Sequence, residues 1–84
     1  MGTEKALSLI LKKYRKQRSL SQEELALRCN LDRTFISLIE RGKRRPTLNT
    51  ILILASGLEV KASVIVQEVE KLIYENSEEK DTNK

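Results

Sequence analysis

Eighty-four residues, 39% hydrophobic, 33% charged and only 4% aromatic, suffice for one domain with one modest core and argue against a sandwich or barrel. The net charge of +4 is unevenly carried: residues 1–20 hold six Lys/Arg against one Glu, and residues 61–84 hold four against six acidic groups. One cysteine and no histidine fit a reducing cytoplasm and exclude a zinc finger or a disulfide framework, and no apolar run reaches the roughly 18 residues of a membrane span.

Apolar spacing predicts five helices. The first covers about residues 5–18, with Leu7, Ile10, Leu11 and Tyr14 on one stripe and Lys12, Lys13, Arg15, Lys16 and Arg18 near its negative end. "LSQEEL" announces the second. Ser21 is an N-cap, Glu24 completes a capping box, and Leu20 and Leu25 stand at the staple positions. This helix buries Leu25, Ala26 and Cys29 and stops near Asn30, a residue that tolerates left-handed backbone. Asp32 caps a third helix over about residues 33–41, which Gly42 terminates. After "GKRRP", Thr47 caps a fourth over about residues 48–57, with Leu48, Ile51, Leu52 and Ala55 as its buried stripe and Gly57 weakening its end. The fifth covers about residues 62–75, and residues 76–84 form a polar tail expected to be disordered.

The window from Gln22 to Arg41 meets the steric demands of two helices crossing over a short turn. Leu25, Cys29, Leu31, Ile36 and Ile39 are apolar where the helices meet, Ala26 is small where the backbones approach, and Asn30 accepts the turn. These are the demands of a DNA-binding helix-turn-helix. Here "LSQEELA", "ISLIERGKRRPTLNTILILA" and "GLEV" resemble the XRE (Cro/CI-type) repressor family, across about residues 5–70. "NLDRTFISLIERG" is most similar to the controller proteins of restriction–modification systems. The resemblance implies an all-α, five-helix lambda-repressor-like DNA-binding domain with the motif at helices 2 and 3. There are departures: Asn30 stands where Gly is usual, and Gly57 and Glu59 where Ala and Gly are more frequent.

On the third helix Ile36 and Ile39 face the core with Phe35 beside them, while Arg33, Thr34, Ser37 and Arg41 lie opposite and Leu38 sits at the margin. Short polar residues and arginines suit a major groove. Arg33, in the first turn, is the leading candidate to read guanine, a phosphate contact being its alternative. Thr34 and Ser37 suit either a base edge or a phosphate. Leu38 has three readings, core margin, dimer contact or thymine-methyl contact, and the resemblance favours the last. Asp32 is first a cap and secondarily an acceptor for cytosine. Gln22, Arg41, Lys43, Arg44 and Arg45 are expected on phosphates. The family pairs a Glu at the position of Glu40 with an Arg at the position of Arg15. Cys29 reads as a small buried hydrophobe.

Helix 5 carries more apolar residues than one stripe needs, which predicts a homodimer through Leu58, Val60, Val64 and Val66, with two reading helices about one DNA turn apart. The sequence therefore predicts a cytoplasmic regulator of transcription binding palindromic double-stranded DNA. The controller resemblance implies control of a restriction–modification operon that includes its own gene, with RNA polymerase as a further partner. The alternatives are a toxin–antitoxin autorepressor and a protein-binding scaffold module. No enzyme, metal or cofactor is expected: there is no histidine, no ligand set and no phosphate loop.

Overall fold

Five helices follow one another as expected: α1 Thr3–Gln17, α2 Gln22–Cys29, α3 Arg33–Glu40, α4 Leu48–Leu58 and α5 Ala62–Glu75. This computed structural model describes residues 1–75, with no strand among them, and the tail expected at 76–84 lies outside the described residues. No single helix among these residues is long and apolar enough to cross a membrane.

Local chemistry sets the helix ends. At the start of α2, Ser21 Oγ accepts the Glu24 N–H at 3.0 Å while the Ser21 N–H donates to Glu24 Oε1 at 2.7 Å, closing the capping box. Asp32 Oδ1 accepts from the Thr34 N–H at 3.0 Å, and Thr47 Oγ1 from the Thr50 N–H at 3.2 Å. The ends of α1 to α4 share one device. Ser19, Asn30, Gly42 and Glu59 take left-handed backbone with φ of 58, 55, 71 and 58°. The next N–H in each case returns to the last turn: Leu20 to Arg15 O, Leu31 to Ala26 O, Lys43 to Leu38 O and Val60 to Ala55 O, at 2.9–3.1 Å. Three of the four have a Cβ, which costs roughly 1 kcal/mol or more at each.

α1 packs on α3 and α5, α2 on α3 and α4, and α4 on α5. Leu25, Ile36, Ile39, Leu54, Leu58 and Ile65 are the largest fully buried side chains of one continuous core. Lys13 and Tyr14 of α1 both donate to Glu68 of α5. Lys13 first, and Tyr14 second, hold the Glu68 carboxyl below its usual range.

α4 departs from the expected stripe. Ile51 and Ala55 are buried, but the core takes Leu54 and Leu58, and leaves Leu48 and Leu52 at 69% and 51% exposure. The helix is apolar at positions 48, 51–55 and 58, so its pattern leaves the rotational phase open and packing on α2 and α5 selects it. Leu58, expected at a dimer interface, is 0% exposed and belongs wholly to its own core.

Gly57 is the last residue but one of α4 and stands where α2 approaches. A Cβ at Gly57 would fall 2.5 Å from Cys29 Sγ and 3.3 Å from Leu25 Cδ1. Gly57→Ala should therefore destabilise by about 1–2 kcal/mol, the overpacking exceeding the gain in helix propensity. In a Cys29→Ala background the same change should stabilise by up to about 1 kcal/mol. Urea unfolding of the four proteins checks this reversal of sign.

Candidate nucleic-acid interface

α3 sorts its side chains by face. Ile36 and Ile39 are 2% and 1% exposed, and Phe35 packs at the edge of the core. Arg33, Thr34 and Arg41 are exposed, and Ser37 and Leu38 are half-buried. At about 100° per residue, Arg33, Thr34, Ser37 and Arg41 share the arc pointing away from Ile36 and Ile39. Leu38 borders that arc on the flank it shares with Phe35.

The attitude of this helix is set at its far end. Glu40 and Arg15 are 5% and 9% exposed. Arg15 Nε donates to Glu40 Oε2 at 2.6 Å and Nη2 to Oε1 at 2.9 Å, a bidentate fork. Arg15 Nη1 reaches Leu20 O at 2.7 Å, in the turn before α2. Hydrogen bonding to Glu40 raises the Arg15 pKa above its ordinary value. Gln22 completes the cluster, donating from Nε2 to Glu40 Oε1 at 3.0 Å. The Gln22 side chain, expected on a phosphate, is thus held by the buried carboxylate in the free protein.

The cations divide by employment. Arg18 donates to Leu58 O at 2.7 Å and Glu59 O at 3.0 Å, and Arg28 to Gly57 O at 3.1 Å, so both serve the negative end of α4. Lys13 serves Glu68. Arg45, expected on a phosphate, is instead paired with Glu4, with Nε at 2.6 Å and Nη2 at 2.5 Å from Oε2. The Glu4 carboxyl is held below its usual range by its own backbone hydrogen bond first and by Arg45 second. Arg44 lies over the Phe35 ring, with Cζ 5.4 Å from the centroid. Arg41 Nε lies 3.4 Å from Ser37 O, and Arg33, Arg41 and Lys43 are exposed. The first-half charge that pointed to a polyanion is thus partly structural, while the outward arc of α3 carries Arg33 and Arg41, with Lys43 and Arg44 exposed just beyond the helix.

Sequence reasoning missed the Glu4–Arg45 pair, the Arg18 and Arg28 contacts to α4 and the Phe35–Arg44 cation–π contact. The ion pair and the α4 contacts join residues 29 to 41 positions apart, beyond any local signal. It also missed the exposure of Leu48 and Leu52, which it placed in the core, whereas Val60, Val64 and Val66 were expected outside it. Leu48 and Leu52 are exposed on α4, and Val66 is 50% exposed on α5, while Val60 and Val64 are half-buried. Among the described residues no cluster of His, Cys, Asp or Glu could hold a metal ion.

Glu40→Ala strands the buried Arg15 guanidinium and should cost about 3–5 kcal/mol. Arg15→Met with Glu40→Leu, which removes both charges, should recover most of that loss. Guanidinium unfolding is the measurement, and a double variant no better than Glu40→Ala would contradict the account.

The general model of the helix-turn-helix family matches residues 11–65. The Immunity repressor protein of Bacillus phage phi105 is 38% identical over 79 residues, covering 88% of this chain, which spans only 55% of that protein's length. Control protein C.MunI of Mycoplasma sp is 42% identical over 62 residues, covering 73% of this chain and 84% of its own. The crystal structure of the Restriction-Modification Controller Protein C.Esp1396I tetramer in complex with its natural 35 base-pair operator superposes with a TM-score of 0.77 at 37% identity. That match covers 84% of this chain and 93% of C.Esp1396I.

Proposed function

We infer what this protein does from its family: the chain belongs to the helix-turn-helix family. It is a DNA-binding regulator of transcription of the restriction–modification controller kind, acting as a homodimer on a palindromic operator that governs an operon including its own gene. The carrying observation is α3, buried through Ile36 and Ile39 and offering Arg33, Thr34, Ser37 and Arg41 on the opposite arc. The similarity to C.MunI and to operator-bound C.Esp1396I supports it.

In this reading Arg33, in the first turn, offers a bidentate fork to guanine in the major groove. Thr34 and Ser37 reach base edges or phosphates, and Leu38 meets thymine methyls at the margin. Arg41, Lys43 and Arg44 bind phosphates flanking the groove. Arg45 joins them when DNA displaces Glu4, and Gln22 joins if it leaves Glu40. The partner protomer covers Leu48, Leu52 and Val66, with Val60 and Val64 at the margin, in place of the buried Leu58. Activation adds RNA polymerase as a partner, and the protein works in the cytoplasm, where the DNA is. The relatives are a repressor and a control protein, and the role proposed for this chain is regulatory.

Titrating the DNA upstream of its own gene, against random DNA, tests the reading. Arg33→Ala should lose about 1–3 kcal/mol at one base-pair position of each half-site and relax specificity there. A wild-type protein with no preference for the upstream DNA would sink the proposal.

Glu4→Gln should act in the opposite sense. It frees Arg45 for phosphate, so binding to any DNA tightens and the salt dependence steepens by about one counterion. Anisotropy titrations at a series of salt concentrations read both quantities.

A further inference from the structure

The chain turns back on itself immediately after α3. Gly42 is left-handed at φ 71°, its N–H returns to Ile39 O at 3.0 Å, and the Lys43 N–H returns to Leu38 O at 2.9 Å. Residue 44 is thereby carried to the flank of α3 that bears Phe35. The Arg44 guanidinium carbon lies 5.4 Å from the Phe35 centroid, within the roughly 6 Å reach of a cation–π contact. Phe35 is half-buried, with the core cluster against part of it.

The neighbouring arginine shows what this contact does. Arg45 is held by a carboxylate, which occupies its donors and matches its charge. A ring holds a guanidinium through its face, leaving the in-plane N–H donors and the positive charge free. Arg44 is therefore both placed by a partner and available, a combination that a solvated loop cation lacks.

Resting on the DNA-binding reading above, we propose that Phe35 is a positioning residue: it holds Arg44 on the flank of α3 next to the reading arc, as a preset contact to DNA. The ordering entropy of a long side chain is then met on folding and not on binding. Phe35 thereby links core, reading helix and basic loop, so the register of Arg44 on the duplex follows the register of α3.

Four variants test this: Phe35→Leu, Phe35→Tyr, Arg44→Ala, and Phe35→Leu with Arg44→Ala. In the free protein, the Arg44 side-chain proton resonances should be displaced by the ring current, lose the displacement in Phe35→Leu and keep it in Phe35→Tyr. Against the upstream DNA, Phe35→Leu should weaken binding about 3–10-fold with an unchanged salt slope, because Arg44 keeps its charge. Arg44→Ala should weaken binding at least as much and lower the slope by about one. The double variant should match Arg44→Ala alone. Where Phe35→Leu melts below the assay temperature, Phe35→Met takes its place in the cycle. Effects that multiply in the double variant, or Arg44 resonances indifferent to the loss of the ring, overturn the proposal. A wild type that does not bind DNA removes the function reading itself, whereas a DNA-binding wild type with a multiplicative cycle removes only the role of Phe35.

Discussion

One buried charge pair sets the geometry on which the rest depends. Arg15 grips Glu40 with two donors and the Leu20 carbonyl with a third, and Gln22 adds a donor from the first turn of α2. α1, the turn before α2, α2 itself and the last residue of α3 thus meet around one ion pair. Burying a charge pair is at best weakly stabilising against an apolar filling. What it supplies is direction, since a bidentate fork accepts one orientation while Ile36 and Ile39 could settle in several. The outward arc of α3, with Arg33, Thr34, Ser37 and Arg41, is aimed by that fork.

A second constraint is how the cations are apportioned. A small domain must neutralise helix ends and internal acids with the same residue types that bind phosphate. Arg18 and Arg28 serve the carbonyl end of α4, Lys13 serves Glu68, and Arg45 serves Glu4. Net charge therefore overstates the interface. Arg33, Arg41, Lys43 and Arg44 lie along or beside α3, and Arg44 is held there without losing its charge.

The α2–α4 contact shows similar economy. Gly57 removes a Cβ where Cys29 lies, and Cys29 Sγ lies 3.6 Å from Ile53 O. Burial pushes the Cys29 thiol up, away from the reactive thiolate, which suits a packing role. The departure from the family's more frequent residue at Gly57 is thus explained by a neighbour, not by the end of the helix. At Glu59 no such compensation operates: the left-handed turn is made there with a Cβ, helped by the Arg18 contact to its carbonyl.

Local rules were enough for whatever is decided within a few residues. Ser21, Asp32 and Thr47 as caps, Asn30 and Gly42 as turns, and the alternation of Ile36 and Ile39 with Arg33 and Ser37 are all legible, because capping and helical periodicity act over one or two turns. The Arg15–Glu40 pair was legible only through family resemblance, since 25 residues separate the partners. Tertiary packing alone decided the rest. It chose the rotation of α4, where Leu48 and Leu52 are as apolar as Leu54 and Leu58 and only contact with α2 and α5 distinguishes them. It also chose which arginines remain for a ligand, because an ion pair between Glu4 and Arg45, or a cation–π contact between Phe35 and Arg44, exists only once the chain has brought distant positions together.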